Sequence, residues 1–249
     1  MNGNHVPLVR RSYWICLILA SIFGANAGDV LADSWGWGHV TGLPYLAAAF
    51  ALILIAERFD RWAHTAYYWA AIIVVRAAAT NIGDIGHDLR LPQPAVMAGM
   101  AVVLAGAAWL WAARAKRSAA AGTLSTNGWY WAAMLLAGSL GTVLGDFSSA
   151  TLGKGLGWGF QGGNIAATAA GAVVLAAVFL AGRNRGLQTQ TAYFWLTVVL
   201  IRAAGTAAGD ALAHSVGLNV SSLLSGLVFV AAVSFWHDSS PRVKVQRTS

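Results

Sequence analysis

The sequence predicts an all-α integral membrane protein with eight transmembrane helices. Of its 249 residues, 57% are hydrophobic and 10% are charged, and the mean hydropathy is +0.60. Soluble domains carry roughly 25% charged residues, so this composition excludes an ordinary soluble protein. Most of the apolar segments are close to the ~20 residues that a spanning helix needs. The eight segments lie at residues 13–33, 42–57, 66–86, 94–113, 129–150, 160–181, 192–213 and 219–236.

A six-residue motif ending in Gly-Asp occurs in every second segment. Its four copies, written Gly-Thr-x-x-Gly-Asp in their fullest form, stand at residues 24–29, 79–84, 141–146 and 205–210. Each Asp follows a Trp by fifteen residues, and the pairs are Trp14 with Asp29, Trp69 with Asp84, Trp131 with Asp146 and Trp195 with Asp210. This register predicts four two-helix repeats, folded as helical hairpins in one transmembrane domain, 1–249. The repeats cover about residues 11–62, 63–120, 121–188 and 189–240.

The repeats alternate in character. Seven residues after the Trp, the second and fourth copies carry Arg76 and Arg202, whereas the first and third carry a Ser and a Gly. This indicates a duplication within a duplication, with four helices in each half, about residues 1–120 and 121–249. An even number of helices returns the chain to the same side, so the halves enter the membrane in the same direction. We therefore predict two parallel halves with pseudo-twofold, approximately fourfold, symmetry about the membrane normal.

These repeated elements resemble a family of bacterial membrane proteins built from four tandem two-helix repeats, catalogued as a repeat of unknown function. The resemblance covers nearly the whole chain and rests on the Gly-Thr-x-x-Gly-Asp and aromatic-Trp elements. The first repeat departs from the pattern, with Ala25 where Thr80, Thr142 and Thr206 stand in the others. The resemblance implies an eight-helix fold but no activity, so function has to be argued from the residues themselves.

The basic residues predict the orientation. Lys and Arg collect on the cytoplasmic side of a membrane protein, and one set of connections and termini holds most of them. That set is Arg10, Arg11, Arg58, Arg61, Arg114, Lys116, Arg117, Arg183, Arg185, Arg242, Lys244 and Arg247. The opposite loops hold only Arg90 and Lys154. We therefore expect a multi-pass protein of the bacterial inner membrane with both termini in the cytoplasm, and the aspartates near the outer face.

The small residues of the motif stand four positions apart, the spacing that lets helix backbones approach closely. We expect the four helices that carry it to pack together and to gather their acids round a common axis. The threonines are expected to bond to a carbonyl of their own helix. The aromatic residues before and at each Trp, Tyr13 and Tyr68 among them, are expected to form a belt at the membrane interface.

The four motif aspartates are the predicted metal ligands. A charged side chain at a helix centre costs about 2.5–3.5 kcal/mol on insertion scales, so these acids should face the bundle interior or a water-filled vestibule. Acids and imidazoles three or four residues beyond them lie on the same helix face. Oxygen with some imidazole suits Mn, Mg or Zn. The full set assigned to the ion or substrate site is Asp29, Asp84, Asp146, Asp210, Asp33, Asp88, His87, His214, Arg76, Arg202, Asn26, Asn81, Thr142 and Thr206.

The two arginines inside the segments leave alternatives open. Each precedes its own Asp by eight residues, about 12 Å along a helix, which is too far for contact within one helix. Arg76 and Arg202 are therefore expected to pair structurally with acids of neighbouring helices, to balance the acids of an empty site, or to select anions.

The predicted function is transport or export of a divalent metal cation, with Mn favoured and protons as the coupling ion. The sequence has no nucleotide-binding loop, serine nucleophile elbow or CxxC pair, and we expect no enzyme activity. The alternatives are an anion or small-solute channel using the two arginines, a membrane scaffold, or a haem protein. The expected partners are the lipid bilayer, the cation and protons, without nucleic acid; a bound divalent cation is the only cofactor considered. Self-association into a homo-oligomer is left open.

Overall fold

The structure, a computed structural model, describes residues 6–60, 65–115, 124–186 and 190–237. In these ranges the chain forms eight helices, as predicted. They are α1 (Arg11–Asp29), α2 (His39–Phe59), α3 (Ala66–Asp88), α4 (Gln93–Ala115), α5 (Gly128–Leu156), α6 (Gly159–Arg185), α7 (Thr191–Val216) and α8 (Leu218–His237). A π-helical segment, Val30–Ser34, continues α1.

Seven of these helices are long and apolar enough to cross a membrane, as in a multi-pass membrane protein. The eighth, α3, is not among them, and it carries Arg76, Asn81, Asp84 and Asp88 among its apolar residues. A helix with so many polar groups is tolerated in a bilayer when it lies inside a bundle. The packing of α3 places it there.

The odd-numbered helices form a closed ring at the centre of the molecule. α1 packs against α3, α3 against α5, α5 against α7, and α7 back against α1. The motif glycines allow this approach, as expected. A Cβ added to Gly28 would lie 2.9 Å from the Ala77 carbonyl oxygen, and one added to Gly145 would lie 2.8 Å from the Ala203 carbonyl oxygen. Any larger side chain at these positions would push the backbones apart.

The even-numbered helices pack on the outside of the ring, each against the odd helix of the following repeat. α2 packs against α3, α4 mainly against α5, α6 against both α5 and α7, and α8 more closely against α1 than against α7. In a simple helical hairpin, each even-numbered helix would pack mainly against the helix before it. Helices α2 and α4 pack mainly against the helix after them. In the first connection, Gly36 and Gly38 adopt positive φ angles of 70° and 71°, which let the chain turn away from α1.

The third repeat shows how local sequence sets the helix ends. The Asn127 side chain accepts a hydrogen bond from the Tyr130 backbone N–H at 3.0 Å and caps the start of α5. Gly157, with a φ of 68°, ends this helix in the left-handed conformation that glycine adopts without strain. The helix consequently runs several residues beyond the apolar segment predicted at 129–150.

Candidate functional site

The space between the four ring helices is lined by residues that recur every fourth position. Starting at Tyr13 in α1, every fourth residue as far as Asp29 faces this axis, and equivalent rows run through α3, α5 and α7. Residues four apart lie one above another on a helix face. The level that starts the rows, named here the tyrosine layer, holds Tyr13, Tyr68, Tyr130 and Phe194. The level that ends them, named the aspartate layer, holds Asp29, Asp84, Asp146 and Asp210.

Arg76 occupies the axis one turn below the aspartate layer. Its Nη1 donates hydrogen bonds to Thr80 Oγ1 at 2.9 Å and Thr142 Oγ1 at 2.8 Å, and its Nη2 donates to Thr206 Oγ1 at 2.7 Å. Its Nε donates to the Ser21 carbonyl oxygen at 3.3 Å. One guanidinium therefore joins all four ring helices. The first repeat, which lacks the threonine, contributes a backbone oxygen instead.

The threonines make two kinds of contact at once. Each hydroxyl donates to the carbonyl four residues earlier in its own helix, at 3.3 Å for Thr80, 3.3 Å for Thr142 and 3.1 Å for Thr206. This confirms the predicted intrahelical bond. Because the proton is used inside the helix, the oxygen lone pairs are free to accept from Arg76. The sequence did not predict this second contact, since the guanidinium comes from a different helix for two of the three threonines.

The contacts at both ends of the rows require the ring helices to be parallel. At one level, the ring of Phe194 stacks on Tyr13, and the hydroxyl of Tyr13 meets that of Tyr68. At another, one guanidinium reaches threonines of α3, α5 and α7. Each ring helix therefore begins at the end of the bundle where the tyrosines lie and finishes at the end where the aspartates lie.

The four aspartates surround the axis, and each is partly buried. Asp29 interacts electrostatically with Asp84 and Asp210, and Asp146 with the same two residues. All four also act on the charge of Arg76. Within the described ranges, however, no aspartate of this layer lies within salt-bridge distance of an arginine. Fixed Asp–Arg ion pairs, one of the predicted alternatives, are therefore not what holds these acids.

The predicted metal coordination shell is not assembled in this structure. Among the residues that the structure describes, no group of three or more His, Cys, Asp or Glu side chains is placed to hold a metal ion. The physical reason is that the four carboxylates come from four different helices and carry like charges, so nothing draws them together without a cation between them. The four acids lie round one axis, and their coordination of a metal ion stays a prediction.

His39, which the sequence analysis did not assign to the site, lies beside the aspartate layer at the start of α2. Its Nδ1 is 3.7 Å from Asp84 Oδ2, and its Nε2 is 3.9 Å from Asp33 Oδ1. The Asp33 side chain is 66% exposed and that of Asp84 is 22% exposed. The imidazole therefore lies between the exposed carboxylate of Asp33 and the carboxylate of Asp84 on the axis. No pattern within one helix reveals this contact, because His39 belongs to the next helix.

Asp33 itself differs from its predicted position. The four-residue spacing predicts that Asp33 shares an α-helical face with Asp29. However, α1 ends at Asp29, and Asp33 lies in the π-helical segment. A π segment has a wider turn, so four residues no longer return to the same face. Asp33 consequently points to His39 and solvent and does not join the axis.

The other predicted residues whose side chains the structure describes fall outside the axis. Asp88 and His214 are exposed near the helix ends, and the side chain of His87 lies outside the described set. Asn26 is buried and donates a hydrogen bond to Ser221 Oγ of α8. Asn81 is buried on a face of α3 that packs against Gly42 of α2.

The helical repeat explains why the asparagines are off the axis. Successive residues of an α-helix are about 100° apart. Since Thr80 faces the axis, Asn81, the next residue, faces a neighbouring helix. Both asparagines therefore lie off the axis that the four aspartates surround.

Arg202 extends the opposite way from Arg76. Its Nη2 lies 3.4 Å from Met134 Sδ, one turn nearer the tyrosine layer. Its Nε and Nη1 are buried without a hydrogen-bond partner in the part of the chain that the structure describes. The arginine is 0% exposed. This contact fits neither pairing with an acid nor balancing the acids, and the third alternative, selecting anions, stays a prediction.

The tyrosines close the other end of the axis. The hydroxyl of Tyr13 lies 2.9 Å from that of Tyr68 and 3.5 Å from that of Tyr130, and the hydroxyls of Tyr68 and Tyr130 are also hydrogen-bonded. All three rings are buried in the bundle core. The predicted interfacial belt is therefore wrong for these residues, because their hydroxyls find partners in one another and not in lipid head groups.

Comparison with known proteins gives one relationship. The family model described as Repeat of Unknown Function (DUF347) matches residues 12–61 and 193–240. These two stretches correspond to the first and fourth predicted repeats. No curated protein and no solved structure matches the chain.

Proposed function

This chain carries two copies of a repeat of unknown function, and we propose from its polar axis that it is a membrane transporter of a divalent metal cation, exchanged for protons. The observation that carries the proposal is the aspartate layer. Four carboxylates surround one axis, partly buried, and none of them forms an ion pair with an arginine that the structure describes. Acids in a membrane bundle are costly and mark ion or proton pathways.

The charges on the axis support a divalent ion. With all groups ionised, the four carboxylates and the guanidinium of Arg76 beside them sum to a net charge of −3. One divalent cation would offset two of these negative charges. Two protons would do the same when the cation leaves, so exchange of one for the other keeps the charge of the bundle constant.

The donor chemistry favours Mn²⁺ or a similar ion. Carboxylate oxygens suit hard divalent cations such as Mn²⁺, and an imidazole adds preference for borderline ones such as Zn²⁺. His39 supplies that imidazole beside Asp84 and Asp33. A cation between the four acids would draw the carboxylates inward to complete its shell.

The orientation follows from the basic residues. If the connections rich in Lys and Arg are cytoplasmic, the tyrosine layer lies on the cytoplasmic side of a bacterial inner membrane and the aspartate layer faces outward. Asp33 and His39 would then form the outer entrance, with both termini in the cytoplasm. The parallel ring helices accord with parallel repeats related by an axis along the membrane normal.

The anion or small-solute channel is the weaker candidate. Arg76 donates to three threonines and a carbonyl, which leaves it few donors for a passing anion. Four acids next to it would also repel anions. No contact among the described residues favours a scaffold or a haem protein.

The test is Mn²⁺ uptake into liposomes that contain the purified protein, with one dye for the metal and one for internal pH. Wild-type protein should move Mn²⁺ with a matching proton flux in the opposite direction. Asp146→Asn should reduce both by at least tenfold, because its helix then delivers no charge to the axis. Lys154→Gln, an exposed change in the same helix, is the control. Uptake equal to that of empty liposomes, or full activity of Asp146→Asn, would refute the proposal.

A further inference from the structure

We propose that Arg202 and the tyrosine hydroxyls hold a small monovalent inorganic anion of about the size of chloride. This site is distinct from the aspartate layer and does not depend on transport. Arg202 is 0% exposed, and its Nε and Nη1 have no hydrogen-bond partner among the described residues. Its Nη2 contacts the weak acceptor Met134 Sδ at 3.4 Å. Two strong donors of a cation are thus buried and unused.

Among the described residues, Arg202 forms no ion pair. A guanidinium keeps its proton in proteins, and burying an unpaired charge costs several kcal/mol. The four aspartates act on Arg76, whereas the largest electrostatic influences on Arg202 come from Arg76 and the three tyrosines. The first of these is a charge of the same sign. A neutral water would satisfy the donors but would leave the charge uncompensated.

The tyrosine layer supplies a further donor. Two of its three hydroxyl contacts are short, and the third, between Tyr13 and Tyr130, is 3.5 Å. Two closer hydrogen bonds use two of the three hydroxyl protons, and the third proton, in the long contact, can turn to a closer acceptor. That acceptor would lie between a guanidinium and a phenol. Halides are bound by this combination of N–H and O–H donors.

The surroundings select a small and weakly hydrated ion. Leu17, Ile72, Met134 and Val198 form the level between the tyrosines and Arg202, and all are 0% exposed. Apart from the weak acceptor Met134 Sδ, these four side chains offer no acceptor that competes for the guanidinium. The chemistry therefore assigns a single monovalent anion.

The experiment compares thermal unfolding of the purified protein in sodium chloride, sodium bromide and sodium gluconate at equal ionic strength. Chloride and bromide should raise the unfolding midpoint by about 4 °C or more over gluconate, in a saturable way. Arg202→Gln should remove the dependence, and the exposed control Lys154→Gln should keep it. Equal midpoints of wild-type protein in all three salts would overturn the proposal.

A second measurement guards against a variant that does not fold. Crystals grown in bromide should show anomalous scattering between Arg202 and the hydroxyl of Tyr130. Absence of that signal, with ordinary water density in its place, would show that water alone fills the site and would also overturn the proposal.

Discussion

Arg76 and Arg202 occupy the same place in two repeats, seven residues after a Trp, yet their surroundings are opposite. Arg76 reaches toward the acids and donates to three threonines and a carbonyl. Arg202 reaches toward the tyrosines and keeps two donors without partners. Both are 0% exposed. Position in a repeat therefore fixes where a side chain starts but not the chemistry that it meets.

The difference has an electrostatic cause. Both arginines belong to helices that pack against α1 and α5, and both start at the same level of the axis. Two guanidiniums at one level would repel each other strongly in a medium of low dielectric constant. Only Arg76 binds the threonines and lies close to the four carboxylates. The guanidinium of Arg202 extends toward the tyrosine layer.

The largest expected effect separates the two arginines directly. Arg76→Met should destabilise the protein by about 3–5 kcal/mol, because it removes hydrogen bonds of a charged group and leaves four acids without the cation beside them. Arg202→Met, in chloride-free gluconate, should be neutral or stabilising, because it removes an unpaired buried charge. Unfolding midpoints in detergent measure both. Equal losses would show that the two surroundings do not differ in energy.

A smaller effect concerns the threonines that receive Arg76. Thr142→Val should cost about 1.5–3 kcal/mol, the range for a hydrogen bond to a charged group. Thr197→Val is the matched control, since this buried threonine donates only to the Tyr193 carbonyl oxygen, at 2.8 Å. Its cost should stay near 1 kcal/mol or below. If both variants lose the same stability in the unfolding assay, the guanidinium contact contributes nothing of its own.

The smallest effect is expected at the tyrosine layer. Tyr13→Phe removes one hydroxyl from a set of three and should cost about 1 kcal/mol. The reverse change at the fourth position of the layer, Phe194→Tyr, adds a hydroxyl next to buried rings and should change stability by less than that. The same unfolding assay applies. A loss of several kcal/mol from Tyr13→Phe would mean that this layer, and not Arg76, dominates the stability of the axis.

The helices and the ring of acids followed from the sequence because both depend on spacing within one helix. Hydropathy located eight helices, and the fifteen-residue interval from Trp to Asp correctly put Asp29 and its equivalents at one level. The row of every fourth residue from Tyr13 to Asp29 was present in the sequence too, and it would have revealed the tyrosine layer. The fifteen-residue interval begins at the Trp, one residue after the Tyr, and therefore does not include the residues of the tyrosine layer.

Contacts between helices did not follow from the sequence. Arg76 and Arg202 are equivalent in the repeat, so no pattern distinguishes the one that binds the threonines. His39 meets Asp84 only because α2 packs against α3. Asn26 and Asn81 were assigned to the axis by their nearness to the aspartates in the chain. One step of about 100° round the helix was enough to turn them away.

The outer helices have a consequence for how the protein is assembled during synthesis. Since α2 packs on α3 and α4 mainly on α5, the second helix of each of these repeats is fully packed only after the first helix of the next repeat has entered the membrane. Helix α8 packs more closely on α1 than on α7. The outer packing of α1 is therefore completed only after the seven helices that follow it have been made.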